Sequence, residues 1–405
     1  MHDSSGPLAG IRVIDLTAVL MGPSATQILA DLGADVIKIE APGGDATRNI
    51  GPGSEDQLGP IFLGSNRNKR SVALDLKHPE GREALLKLLS DADVLTSNVR
   101  PAAMARLNLS YEDVAAVNPR LVYVSMIGFS QRGRYARSPA FDDLIQAAIG
   151  VPTLMAQSSD GTPRYIPMNI ADRSMGLYAF GVICAALLAR DRTGRGQRVD
   201  VPMFETMAQY MLGDHFYGEK FVPAKGEFGY PRILARSRKP VRTRDGYVNL
   251  TIYHDHHWKA FLEVIGHPEW MDADPRLANM TTRITHSEAL GELVASEIAK
   301  RTTAEWREVL AAADIPVFPV HTLESLVRDP HLEDIGFFRE EQHPVVGTVR
   351  EMAVPSEWHG TPPDGYRPAP RVGEHSTQVL AEAGFSQTQI DALIASGAAR
   401  QAPPL

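Results

Sequence analysis

The sequence predicts an α/β fold, with a Rossmann-like parallel sheet in a large domain joined to a smaller α+β domain. Three observations carry that expectation. β-rich runs alternate with amphipathic helical runs as far as residue 129, the pattern of a parallel sheet with helices on its faces. At 405 residues the chain is longer than one hydrophobic core usually serves, so two or three domains are expected. From about residue 203 the texture changes, and 217–246 is rich in Gly, Pro and basic residues with weak periodicity.

In order along the chain, "IRVIDL" (11–16) is a short strand. "GPSATQILADLG" (22–33) places Ile28, Leu29 and Leu32 at helical spacing and closes at Gly33. "ADVIKIE" (34–40), "SVALDL" (71–76), "DVLTSN" (93–98) and "LVYVSMIGF" (121–129) are further strands. Between them lie the helices "PEGREALLKLLSD" (79–91), with proline near its start, and "SYEDVAAVNP" (110–119). "YVNLTIY" (247–253) is an alternating strand, followed by helices at 256–266, 286–301 and 303–314. A final helix covers 386–397, and the tail "QAPPL" is expected to fray. The large domain is therefore assigned to 1–205, a linker to 206–224, the small domain to 225–325, and a return linker with the rest of the large domain to 326–405.

Composition narrows the function classes. Apolar residues make up 43% and charged residues 22%, an ordinary globular balance. A net charge of −8 gives no general basic face for nucleic-acid phosphates. The one cysteine, Cys184, excludes an internal disulfide and a Cys-based zinc site, and its apolar surroundings predict a buried thiol. The opening residues lack the basic and apolar regions of a secretory signal. The apolar run Met175–Ala189 is shorter than the ~18–20 residues a bilayer span needs. The expectation is a soluble protein of the cytoplasm or an organelle matrix, with neither a nucleic-acid nor a membrane partner.

Several chemistries lack their motif. After the first strand comes Thr17 to Pro23 with no Gly-x-Gly-x-x-Gly, so the backbone is not built to approach a dinucleotide pyrophosphate, although Glu40 stands where a ribose-binding acid would. Neither a P-loop nor a Gly-x-Ser-x-Gly elbow is present. "HDHHW" (254–258) clusters His254, His256 and His257, but without zinc-ligand spacing it reads as a polar helix start, and no metal site is assigned.

Two features remain. Basic and amide side chains recur near strand ends, at "NRNKR" (66–70), Lys77, "SNVRP" (97–101) and Arg106. In a parallel sheet those ends face the ligand crevice, so the row suits a phosphorylated ligand, and it equally suits a solvated face. The other is "PMNIADRSMGLYAFGVICAALLAR" (167–190). Asp172 stands at the mouth of this apolar helix. There it can cap the free N–H groups of the first turn, and those groups with the helix dipole favour its ionised form. The same carboxylate can attack an activated acyl group. Gly176 after it leaves room for a ligand near the backbone. Spacing alone does not separate cap from nucleophile.

At this point the sequence resembles the class III (CaiB/BaiF-type) CoA-transferases. The resemblance rests on Leu8, Gly10, Arg12, Val13, Asp15, Leu16 and Thr17, then Gly22-Pro23, Leu29 through Glu40, Pro42, Gly44-Asp45 and Arg48. "NRNKRSVALDLK" (66–77), "NPRLVYVSMIGF" (118–129) and "RTGRGQRVDVPMFE" (192–205) continue it. It implies an interlocked homodimer and a catalytic Asp172 that passes CoA through an anhydride and an aspartyl-CoA thioester. It also implies coenzyme A, as acyl-CoA, for a substrate alongside a carboxylic acid, with no permanently bound cofactor. By motif position, CoA contacts fall on Leu74, Lys77, Asn98, Val99, Arg100 and Arg106, and the substrate pocket on Phe141, Asp142 and Gly176. The chain departs from the family at Ala102 and Asn108, where glycine is frequent. It also lacks the linker glycine run of formyl-CoA transferases in 217–246, which speaks against oxalate or formate. Racemase relatives carry a His-Asp dipeptide, where this chain has Phe141-Asp142, and Phe141 cannot move a proton. Transferase is therefore preferred over an acyl-CoA racemase or isomerase. A CoA-thioester-binding protein with Asp172 as a mere cap is the non-enzyme alternative.

Overall fold

A computed structural model describes residues 5–53, 56–363 and 365–405. Six strands, β1 (Arg12–Leu16), β2 (Asp35–Glu40), β3 (Arg70–Leu74), β4 (Val94–Ser97), β5 (Val122–Ile127) and β6 (Arg198–Pro202), form a parallel sheet in the order β3-β2-β1-β4-β5-β6. A seventh, antiparallel strand, Ala399–Arg400, closes the β3 edge. The chain steps outward from β1 through β2 to β3, then returns to the other side of β1 and runs outward again. That reversal between β1 and β4 opens a crevice at the carboxyl ends of the strands.

Side chains alternate along each strand, so the sheet buries both faces. Val13, Val36, Val94, Val122 and Val124 pack on one side with α1 (Met21–Asp31) and the long helix described below. Ile14, Ile37, Val72, Leu95 and Tyr123 pack on the other with α3 (Pro79–Leu89), which follows α2 (Pro60–Asn66), and with two helices near the C-terminus, Ser376–Glu382 and Gln387–Ala395. Full burial of each such side chain contributes about 1.5–3 kcal/mol. α4 (Pro101–Arg106) and α5 (Tyr111–Val117) follow β4, the latter opened by a reciprocal Ser110–Asp113 cap.

α6 (Asp142–Ala148) precedes α7 (Val151–Gln157) and the long α8 (Ile170–Thr193). α8 has 24 residues and ends at Gly194, whose φ of +73° only glycine adopts readily. By length and composition alone the whole helix would be long enough to cross a membrane, while its uncharged run, Met175–Ala189, is shorter. One face, with Met175, Ala179, Ile183 and Leu187, lies in the core, while Leu177, Tyr178 and Leu188 are exposed. Cys184 is half-buried on this helix rather than enclosed.

The chain divides into two compact units. One takes residues 1–149, 167–208 and 332–405, and the other takes 150–166 and 209–331. Residues 203–215, placed largely in a linker by the sequence, form helix α9 (Met203–His215), and the smaller unit also claims α7. That unit has a three-stranded antiparallel sheet of β7 (Val241–Arg242), β8 (Tyr247–Leu250) and β9 (Val317–Pro319) over a core holding Trp258, Phe261, Trp306 and Leu310. In the larger unit, β10 (Phe338–His343) and β11 (Gly347–Met352) make a hairpin, and Ala399–Arg400 is β12. The tail is not frayed through Ala402: that residue is buried and its N–H donates to the Gly373 carbonyl at 3.2 Å, while Gln401 Oε1 accepts from Thr377 N at 2.9 Å.

Candidate active site

The loop after β1 lies at the reversal point, and side chains from three neighbouring segments fix its backbone. Asn98, just past β4, donates from Nδ2 to the Ala18 carbonyl (2.7 Å) and accepts on Oδ1 from the Ala18 N–H (3.0 Å). Lys38, from β2, donates to the Thr17 carbonyl (2.8 Å) and to Asp45 (3.0 Å). Asp45 in turn accepts from the Val19 N–H at 3.2 Å. Val19 is held at φ +69°, a region that β-branched residues avoid, so these three anchors oppose a local backbone strain.

Beneath the loop lies a buried charge network. Asp15 accepts from the Thr17 N–H (2.9 Å), Thr26 (2.6 Å) and Lys69 (3.2 Å). Burial pushes the Asp15 carboxyl up, but Lys69 and Lys38 outweigh it and hold it below the usual range. Burial pulls Lys69 down to about 8, with Asp15 opposing. Glu40, the would-be ribose ligand, is buried and engaged at both oxygens by Arg48 (2.6 and 2.8 Å). Sequence reasoning missed this network as such. The available signals were Lys38 and Glu40, two charges on one face of β2, and Asp45 and Arg48 three residues apart.

Asp172 sits three residues further into its helix than the sequence suggested. α8 begins at Ile170 after Asn169, so Asp172 is in the first turn and is not its cap. Its pKa is raised to about 6, first by burial and then by repulsion from Asp142, with Arg173 opposing. The helix end alone would favour the ionised form, but burial and Asp142 raise the pKa above the ordinary value. Asp142 opens α6, is 7% exposed, and accepts from the Asp172 N–H at 3.0 Å. Its other oxygen accepts from Gln146, which also donates to the Met168 carbonyl at 3.3 Å. Phe141, one residue earlier, is 67% exposed.

Gly176 does not leave room for a ligand; it leaves room for α1. A Cβ there would come within 2.8 Å of Ser24 Cβ and 3.1 Å of the Met21 carbonyl oxygen. Arg173 bridges the same helices by donating to Ser24 Oγ at 3.0 Å. Gly176→Ala therefore forces α8 and α1 apart, and a loss of about 1–3 kcal/mol in urea unfolding is expected.

The remaining residues of the basic row lie along the carboxyl edge of the sheet. Asn98, Val99 and Arg100 follow β4, while Leu74 ends β3 and Lys77 follows it. β3 and β4 are three strand spacings apart, about 14 Å, so only an extended ligand reaches both. Lys77, Arg100 and Arg106 are exposed, whereas the Leu74 side chain is in the core and only its backbone remains for a ligand.

A desolvated carboxylate that is still mostly ionised at neutral pH is a competent acyl acceptor. Repulsion from Asp142 is the second cause of its raised pKa, so Asp142→Asn is expected to move the acidic limb of the pH–rate profile below about 6, toward but not reaching the ordinary value of 3.8. An unmoved limb would remove Asp142 from this role.

The profile of CoA-transferase family III matches residues 8–376. Succinate–glutarate CoA-transferase of Agrobacterium fabrum is 33% identical over 94% of this chain and 97% of its own. Formyl-CoA:oxalate CoA-transferase of Escherichia coli is 33% identical over 96% of this chain and 98% of its own. A CaiB/BaiF family protein from Brucella suis superposes with a TM-score of 0.77 at 29% identity, covering 94% of this chain and 100% of that one. The shared sheet and the near-complete coverage place the chain in one group: it belongs to CoA-transferase family III, and it is a CoA-transferase.

Proposed function

We propose that the protein moves CoA from an acyl-CoA, with succinyl-CoA a candidate donor, to a second carboxylic acid through Asp172. The observation that carries this is the half-buried Asp172 carboxylate, with its pKa lifted to about 6, in the first turn of α8, where the Asp172 N–H is held by Asp142 at the start of α6. In the proposed cycle a carboxylate oxygen of Asp172 attacks the thioester carbonyl. The C–S bond breaks, CoA leaves as thiolate, and a mixed anhydride forms. The thiolate then attacks the Asp172 carbonyl, releasing the donor acid and leaving an aspartyl-CoA thioester. The acceptor carboxylate attacks that thioester and expels the thiolate. The thiolate finally attacks the acceptor carbonyl, giving the new acyl-CoA and free Asp172. No net proton or electron is exchanged. Burial suits the sequence, since water would hydrolyse both intermediates.

Dicarboxylic acids are the first acceptors to try, because one relative is named for succinate and glutarate. Oxalate is kept as an alternative because another is named for it. Racemisation is less favoured: Phe141 holds no proton, and Asp142 is occupied by the Asp172 N–H and Gln146. A homodimer is proposed, supported by the exposed apolar residues Leu177, Tyr178 and Leu188 of α8. The proposed setting is the cytoplasm or an organelle matrix.

The test is chemical trapping. After incubation with acyl-CoA, hydroxylamine is expected to convert Asp172 to its hydroxamate, read by peptide mass. An unmodified Asp172 under turnover conditions rejects the covalent route. A panel of acids against succinyl-CoA and acetyl-CoA identifies the acceptor.

A further inference from the structure

We infer that the smaller unit carries its own binding site for a small organic oxyanion, built from residues that the transferase reading does not use. A cavity of about 440 Å³ lies wholly within that unit, inside the ~300–1,000 Å³ range of small-molecule sites. Its walls are the Arg232–Lys239 segment, Asn249 to Tyr253 at and beyond the end of β8, and the helices Met280–Thr285 and Ser287–Ile298.

Four cations line it, Arg232, Arg238, Lys239 and Arg283, and no carboxylate among the described residues does. Two nearby acids are already committed. Asp255 is ion-paired with Arg283, and Glu288 accepts from the Ser237 N–H at 3.1 Å. Arg283 is the second, independent pointer. It is buried, donates from Nη1 to the Leu277 carbonyl at 2.8 Å and from Nη2 to Asp255, and its buried Nε has no partner. A buried guanidinium N–H left without an acceptor is what an incoming oxyanion would satisfy.

The wall is also built rather than incidental. Ser237 Oγ donates to the Ser287 carbonyl at 3.3 Å, which pins the basic segment to the helix. Gly291 permits that approach, since a Cβ there would fall 2.3 Å from Ser237 Oγ. The Arg232 guanidinium stacks over the Tyr253 ring at 5.1 Å, which fixes one cation at the rim. Ile252, Trp258 and Leu290 supply apolar wall. Cations over an apolar floor select a phosphate or carboxylate carried on an organic body.

The experiment uses the full-length chain and isothermal titration with AMP, glutarate and inorganic phosphate. Saturable one-to-one binding of AMP or glutarate is expected, weakened at least about tenfold in the triple variant R232Q/R238Q/K239Q, whose residues lie at the rim and not in the core. Binding in Asp172→Asn is expected to be unchanged, which separates this site from the transferase centre. Which of the two organic probes saturates decides between a phosphate monoester and a dicarboxylate. The proposal is overturned if neither saturates, if the triple variant binds like wild type, if Asp172→Asn abolishes binding, or if inorganic phosphate binds as tightly as the organic probes.

Discussion

Asp172→Asn is expected to cut CoA transfer by on the order of 10³-fold or more while the chain stays folded. The amide fills the same volume in the first turn of α8 but has no carboxylate to form the anhydride. The linkage gives a second readout. The carboxyl is raised from 3.8 to about 6 in the folded state, so the native protein binds this proton more tightly than the unfolded chain does. Stability therefore falls as pH rises from about 4 to 6, and the ionised carboxylate is a burden above that window. The Asn variant escapes it: at pH 7.5 it should unfold at a higher urea concentration than wild type, with that advantage shrinking as pH falls toward 4. Loss of activity with a lower midpoint at pH 7.5 would point to structural damage instead, and full activity would remove Asp172 from the chemistry.

Arg48→Met should have the largest effect on stability. Arg48 is 0% exposed, holds both Glu40 oxygens, and donates to the Pro370 carbonyl at 2.9 Å while its guanidinium lies 3.6 Å from the Phe62 ring centroid. Methionine preserves much of the packing but leaves Glu40 buried without its cation. Breaking a buried pair in this way costs about 3–5 kcal/mol, to be read from the urea midpoint at constant slope. Burial pushes the Glu40 carboxyl up, and Arg48, helped by Lys38 and Ser71, more than offsets that, leaving it below its usual range. The pair's contribution is therefore present at neutral pH and is lost only as pH drops through that lowered value. A double variant, Glu40→Gln with Arg48→Met, should recover much of the loss, since no unpaired charge remains.

The sheet was legible because its strands are short and alternate with helices. Ser110, Thr302 and Ser386 accept N–H groups at helix starts close to those the pattern predicted. The start of α8 was misplaced because Ile170 and Ala171 carry no polar signal, so the eye settles on the first charge, Asp172. The nucleophilic role proposed for that residue rests on the resemblance, since a cap and a nucleophile occupy the same kind of position. Gly176 was misread because a helical glycine admits either a ligand or another helix, and only the position of Ser24 decides. The anchors of Val19 were illegible for a different reason. They come from Lys38, Asp45 and Asn98, which the sheet order brings to one corner from separate parts of the chain. No local window contains that information.

The late strand β12 has a consequence for biosynthesis. β3 has its outer neighbour only once Ala399 and Arg400 have been made, and one face of the sheet waits for the two helices just before them. Translation at about 5–20 residues per second leaves that edge and apolar face uncovered for tens of seconds, while the middle of the chain emerges. Once α8 has been made, a nascent chain has every element of the Asp172 region and is still an unfinished sheet, open to strand addition by a neighbour on the same message. The parallel sheet is thus completed by a strand made long after its neighbour β3.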